Sequence, residues 1–250
     1  MELVFLHGAG DSGAVWDLQI ERFGDRYDAL ALDLPGHGER LTEPAFETVD
    51  ENAEEAVRAI HTRGFQRPVL VGHSMGGATA LAVALRWPSL PQGLVLVGSG
   101  ARLRMRPEPI EEARQRAEAE MPGVVVPRVI ALDQVVSTSA PAAVRGWLVD
   151  HFGRATAQAT YADFLATNGF DAMGRLHQIR QPTLVIGGED DLWTPTRFQH
   201  YLAEQISSAR LVLLSDTGHY PFVERQMAFN QELEAFLVGL DGSTQATADG

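Results

Sequence analysis

Val69-Leu70-Val71-Gly72-His73-Ser74-Met75-Gly76-Gly77 decides the fold. Three consecutive apolar residues read as a buried strand. The alanine- and leucine-rich run 75–87 reads as a helix that stops before Pro88. Between them Gly72 to Gly76 spells Gly-x-Ser-x-Gly, which holds a serine in a sharp strand-to-helix turn. The flanking residues are small because larger side chains would clash there. The helix that follows aims its first N–H groups at the place where an oxyanion would develop. Ser74 is therefore a candidate nucleophile. The bland alternative is a glycine-rich turn whose serine only caps the helix.

An activated serine needs a base, and the base needs an orienting carboxylate. Both follow late apolar runs. Residues 183–186 lead into Gly187-Gly188-Glu189-Asp190-Asp191-Leu192-Trp193-Thr194-Pro195, and residues 211–214 lead into Ser215-Asp216-Thr217-Gly218-His219-Tyr220. Parallel strands end at one edge of a sheet, so loops distant in sequence can meet there.

Further out, short apolar runs at 3–6, 29–32 and 94–97 join those at 69–71, 183–186 and 211–214. Several are apolar at every position, as expected of parallel strands covered on both faces. Helical patterns lie between them at 50–63, 75–87 and 196–206, with a last helix at 221–238. Thr48 and Glu51 stand at capping-box spacing before the first of these, and Pro195 precedes the third. The alternation predicts an α/β fold, an open and mostly parallel sheet of about six strands with right-handed crossovers. Residues 101–180 contain no convincing strand and are punctuated by Pro107, Pro109, Pro122, Pro127 and Pro141. They read as an inserted helical lid, with 1–100 and 181–240 as the core and 241–250 as a flexible tail.

Composition removes whole classes of chemistry. The 250 residues fit one large domain, or one domain with an insertion. A net charge of −13 argues against a nucleic-acid partner. All 20 basic residues are arginine, so a P-loop lysine, a Schiff-base lysine and a Ser-Lys dyad are excluded. With no cysteine, disulfides, thiolate metal sites and cysteine nucleophiles are excluded too. No apolar stretch approaches 18 residues, so no membrane span is expected, and Glu2-Leu3-Val4-Phe5-Leu6 lacks a basic leader. The expectation is a cytoplasmic protein, monomer or homodimer.

The whole set of motifs resembles the α/β-hydrolase superfamily, in its branch of small cap-bearing serine esterases and related hydrolases. Besides the serine turn, the match includes His7-Gly8-Ala9-Gly10, Asp33-Leu34-Pro35-Gly36-His37-Gly38, the spacing Gly188 to Asp191 to Pro195, and Gly218-His219, in the family's order of Ser, Asp and His. The resemblance implies Ser74 as nucleophile, His219 as base and Asp191 as orienting acid, with Asp190 as rival. It implies an oxyanion hole from the backbone N–H groups of Ala9 and Met75. Two departures stand out. The family's usual N-terminal hairpin is missing, so a shortened sheet is expected, and Arg40 stands where many members have serine.

A reading from another class competes. Gly8-Ala9-Gly10-Asp11-Ser12-Gly13 is also Gly-x-Gly-x-x-Gly after a strand, and Asp33 follows Gly13 by 20 residues, as in an NAD-dependent oxidoreductase. Against it, His7 precedes the first glycine, Asp33 leads into a hydrolase-like motif, and no lysine is available for a Tyr-x-x-x-Lys proton donor. A third reading is a hydrolase-fold protein that only binds a ligand. The expectation is a serine hydrolase, most simply a carboxylesterase for small or medium acyl esters, without cofactor or metal. The same residues also suit lactone, thioester or C–C bond cleavage. Trp193, His73 and Gly8 are candidate substrate-binding residues, His73 also reading as structural, like His7 and His37. His61, His151, His177 and His200 show no metal-ligand spacing. Arg102, Arg104 and Arg106, at period two, read as a solvated basic face, with contact to an acidic substrate as the alternative. Trp147, Phe152, Tyr161, Phe164 and Phe170 read as lid core.

Overall fold

Apolar runs too short for helices pair side by side. In the computed structural model, which describes residues 1–125, 132–151 and 153–248, six of them form one sheet. They are β1 (Glu2–Leu6), β2 (Asp28–Leu32), β3 (Val69–His73), β4 (Gly93–Val97), β5 (Thr183–Gly188) and β6 (Ala209–Leu214). Every pairing is parallel, in the order β2-β1-β3-β4-β5-β6. Crossovers cover both faces, so the strands alternate between two buried surfaces rather than between core and water. Leu3 and Phe5 face one apolar layer; Val4 and Leu6 face the other.

The first layer is completed by α1 (Asp17–Phe23) and by a C-terminal pair, α8 (Pro221–Glu224) and α9 (Gln226–Ala248). The second is completed by α2 (Val49–Arg63), α3 (Met75–Arg86) and α7 (Arg197–Gln205). Helix α2 starts where the capping box predicts: Thr48 Oγ1 accepts from the Glu51 N–H at 3.2 Å. The C-terminal pattern is not one helix from Pro221. It breaks at Arg225 (φ −131°, ψ 50°), just after Glu224 turns its carboxylate back onto the N–H groups of Gly218 and Tyr220. Helix α9 enters the segment 241–250, and residues 249–250 lie outside the described ones.

Between β4 and β5 the chain makes a helical excursion: α4 (Pro107–Ala119), α5 (Ala142–His151) and α6 (Ala157–Gly169), with short turns at Leu132–Gln134 and Leu176–Gln178. Among its described residues the only β pairings are isolated bridges, such as Arg102 with Asp171. Pro127 and Phe152 lie outside the described residues. Among the described residues no helix is long and apolar enough to cross a membrane.

The strand order sets the position of a site. The chain moves from β1 outward to β2 and returns to the other side of β1 with β3. The loops after β1 and β3 therefore diverge at the carboxyl edge, the crevice where open α/β sheets bind ligands.

Candidate active site

Register brings the tip of the serine turn to that crevice. Leu6 of β1 is opposite Gly72, and Val97 of β4 is opposite His73. Ser74 follows with φ 52° and ψ −113°, outside the regions a non-glycine residue normally occupies, at a cost of about 1–3 kcal/mol. Its surroundings hold it there. Its N–H donates to the Val97 carbonyl at 2.9 Å, and its carbonyl accepts from Ser99 Oγ at 2.7 Å. The glycines are required by space. A Cβ on Gly72 would lie 2.2 Å from the Gly76 oxygen, and one on Gly76 would lie 2.2 Å from the Leu6 oxygen.

His219 and Asp191 meet at the ends of β6 and β5. Asp191 Oδ2 lies 2.7 Å from His219 Nδ1, and both side chains are almost wholly buried. A carboxylate accepts, so Nδ1 carries the proton and Nε2 is left as the basic nitrogen. Asp191 is itself well held. Its Oδ1 accepts from the N–H groups of Trp193 and Thr194 at 2.8 and 2.9 Å, and its Oδ2 from Thr194 Oγ1 at 2.6 Å. Burial alone pushes this carboxyl up. The His219 charge and the hydrogen bonds from His219 and Thr194 outweigh that and hold it below its ordinary 3.8. Asp190 turns elsewhere: its Oδ2 accepts from Ser137 Oγ at 2.6 Å.

The loop carrying His219 is braced by residues that sequence reading missed. Buried Glu224 accepts from the N–H groups of Ser137, Gly218 and Tyr220 at 2.8, 2.9 and 3.0 Å. The His219 N–H donates to the Val135 carbonyl at 2.7 Å. His73, a candidate for substrate contact, borders the cavity but is buried, and its Nε2 donates to the His219 carbonyl at 2.9 Å. A Cβ on Gly8 would lie 2.8 Å from His73 Nδ1, which explains the missing side chain there.

Ala9 and Met75 sit on the two diverging loops. Among the described residues neither backbone N–H has a protein acceptor. A third device fixes the first loop. Asp163, on α6, accepts from the Gly10 N–H at 2.7 Å and from His37 Nε2 at 2.9 Å, all buried. His37 Nδ1 faces the Pro35 carbonyl at 2.9 Å. Both ring nitrogens thus face acceptors, which suits the imidazolium. Burial opposes that charge, but Asp163 outweighs it and raises the His37 pKa. His7, 4.7 Å away ring to ring, has the opposite setting. Its Nε2 accepts from the Leu34 N–H at 3.3 Å, which needs the neutral ring. Burial, with the neighbouring His37 charge, lowers its pKa to about 4. One signal for Asp163 existed: it is the lone acid in α6, among small and apolar residues.

Both carboxylate oxygens of Asp33 are engaged by backbone N–H groups of the neighbouring loops. Its Oδ1 accepts from the Gly13 N–H at 2.7 Å and its Oδ2 from the Glu39 N–H at 2.9 Å. The glycine loop instead borders the same cavity as Ser74 and His219. That cavity encloses about 510 Å³. Trp193 and Phe164 line it, as do Arg104 and Arg106; Arg102 instead pairs with Asp171 at 3.6 Å. Arg40, which stands where many family members have serine, bonds Glu43, Glu55 and the Asp33 carbonyl. Among the described residues no group of three or more His, Cys, Asp or Glu is placed to hold a metal ion.

Comparison with known proteins agrees with this architecture. The model of the alpha/beta hydrolase family matches residues 3–232. A pimeloyl-[acyl-carrier protein] methyl ester esterase of Nitrosomonas europaea is 31% identical over 232 residues, 89% of this chain and 90% of that protein. An (E)-2-((N-methylformamido)methylene)succinate hydrolase of Acinetobacter baylyi is 28% identical over 94% of this chain and 89% of its own. Among solved structures, a thermophilic esterase from Thermogutta terrifontis, with malate bound, superposes with a TM-score of 0.85 at 25% identity, covering 96% of this chain and 90% of that one. With a sheet, crossovers and motif order of this kind, and a family match spanning nearly its whole length, the chain belongs to the alpha/beta hydrolase family.

Proposed function

We propose that the protein is a serine hydrolase that cleaves carboxylic esters with small or medium acyl groups through an acyl-enzyme. The observation that carries this reading is the buried 2.7 Å contact of Asp191 with His219, a residue that borders the same cavity as Ser74 in its strained turn. Ser74 Oγ attacks the ester carbonyl while His219 Nε2 takes its proton. The N–H groups of Ala9 and Met75 stabilise the oxyanion. The imidazolium returns its proton to the leaving alkoxide, and Asp191 balances the charge in between. Water then attacks the acyl-enzyme, His219 takes its proton, and Ser74 leaves with the proton restored. Every proton and electron pair moves among protein, ester and water. Relatives named as esterases and hydrolases support hydrolysis as the reaction class. The helical excursion over 101–180 serves as the lid that shapes the acyl pocket.

The test is hydrolysis of p-nitrophenyl esters of increasing chain length by wild type and Ser74→Ala. The variant is expected to keep its circular dichroism spectrum and lose about 10⁴–10⁶ in kcat. Comparable turnover by the purified variant overturns the assignment.

A further inference from the structure

With a net charge of −13, the molecule repels a small anion on average. The cavity beside Ser74 departs from that rule. Arg104, Arg106 and Arg197 line it, and the one carboxylate that lines it among the described residues, Asp11, is buried and accepts from Tyr220 Oη at 2.9 Å. Most other arginines meet acids, as Arg145 does 3.0 Å from Asp133 and Arg102 3.6 Å from Asp171, whereas among the described residues Arg67, Arg154, Arg175 and Arg180, away from the cavity, also have no ion pair. Among the described residues no carboxylate lies within ion-pair distance of Arg104, Arg106 or Arg197. Two of the three are steadied by uncharged neighbours. Arg104 Nη1 donates to the Asn168 carbonyl at 2.5 Å, and the Arg197 guanidinium lies 4.9 Å from the Phe198 ring centre.

Their places in the chain point the same way. Arg106 is the N-cap residue of α4, and Arg197 is the first residue of α7. The first turns of both helices border the cavity, through Pro109 and Phe198. A helix N-terminus carries partial positive charge, so stability favours an acid there and disfavours a cation. Two cations stand against that preference, although α4 also carries Glu108 in its first turn, and with a third beside them they leave a positive rim whose guanidinium donors have no carboxylate partner among the described residues. An oxyanion group satisfies both the forked donors and the helix ends.

We infer that the substrate, under the esterase reading above on which this rests, carries an anionic oxygen group, carboxylate or phosphate, remote from the scissile carbonyl. Arg104, Arg106 and Arg197 bind that group at the rim. Met105, Trp193 and Phe198 flank the chain that connects it to the ester. The cavity volume of about 510 Å³ suits a small molecule of this kind.

The test compares kcat/KM for monomethyl adipate, methyl 6-phosphonooxyhexanoate and the neutral methyl hexanoate. Wild type is expected to prefer at least one charged ester by about tenfold or more, which is about 1.4 kcal/mol. The better charged arm names the source of the anion. In Arg106→Gln/Arg197→Gln the preference is expected to fall at least about fivefold, chiefly through KM. It is also expected to shrink in 1 M salt, where the Debye length drops to about 3 Å. Equal kcat/KM on all three esters, or a preference untouched by the arginine changes, overturns the inference. A second readout is independent of turnover: calorimetric titration of adipate and of inorganic phosphate into Ser74→Ala. Binding that disappears with the added Arg106→Gln/Arg197→Gln changes supports the anion site even where wild type hydrolyses none of the esters, and then only the esterase reading falls. Neutral-ester turnover with no arginine-dependent binding of either anion overturns the anion site and leaves the esterase reading standing.

Discussion

Adjacent carboxylates after β5 separate by what they touch. Asp191 is buried against His219 Nδ1 and collects two backbone N–H groups and the Thr194 hydroxyl, while Asp190 bonds Ser137 Oγ on the helical excursion. Under the proposed mechanism an amide at 191 loses the charge that balances the imidazolium and can present the wrong hydrogen-bonding face. Asp191→Asn is therefore expected to lower kcat at least about tenfold more than Asp190→Asn, about 1.4 kcal/mol of barrier. Measuring both single variants on one ester decides it; a crippled Asp190→Asn beside an active Asp191→Asn reverses the assignment. The pairing of Asp191 rather than Asp190 with His219 was legible in the spacing Gly188 to Asp191 to Pro195. The turn from Gly188 and the bonds to the N–H groups of Trp193 and Thr194 are local, and a local pattern survives in sequence. Glu224 was not legible. Its role depends on Ser137, 87 residues away, and on the break at Arg225 that no local rule predicts.

Among the elements, α6 couples the helical excursion to the glycine-rich loop. Asp163 spans 153 residues to reach the Gly10 N–H and 126 to reach His37. Further bonds run from the Gly38 N–H to the Arg154 carbonyl at 2.7 Å and from the Thr156 N–H to the Gly36 carbonyl at 3.2 Å. Loosening this tie displaces Ala9, one of the two proposed oxyanion donors. Asp163→Asn leaves the volume nearly unchanged and removes the buried negative partner of His37. It is expected to lower kcat by about tenfold or more with a smaller change in KM, because the donor acts mainly in the transition state. Steady-state kinetics on a p-nitrophenyl ester reads this split; a rise in KM at constant kcat contradicts it. The six strands were legible to within two residues because each contains a run of three or more apolar residues, whereas Asp163, although the lone acid of α6, carries no motif that names its partners, and these appear only once α6 lies against the loop. The same contrast holds for the arginines. Arg104 and Arg106 drew notice by their period, while Arg197 joined them only through the fold.

For the whole molecule, the buried His7–His37–Asp163 cluster sets a dependence of stability on pH. His37 has a folded-state pKa above its ordinary 6.5, so its contribution is full below about pH 6.5 and is lost as pH rises through the folded value. His7, held at about 4, stays neutral in the folded state while the unfolded chain takes up a proton. Stability is therefore lost as pH falls from 6.5 toward 4. Asp191 adds to the acid side, because its depressed carboxyl contributes above 3.8 and loses that contribution as pH falls through the folded value. Melting temperature is accordingly expected to peak near pH 6.5. His37→Gln should flatten the decline above that pH, and an unchanged alkaline slope contradicts the assignment of charge to His37. Whether Ser74 is the nucleophile of an acyl-enzyme is decided by mass spectrometry of protein quenched in acid during turnover of a slowly deacylating p-nitrophenyl ester. One acyl group is expected on the peptide containing Ser74, none in Ser74→Ala, and accumulation in a variant lacking the His219 imidazole only at a greatly reduced rate. An acyl group on another residue, or turnover with no adduct at Ser74 under conditions where p-nitrophenol is released in a burst, contradicts it.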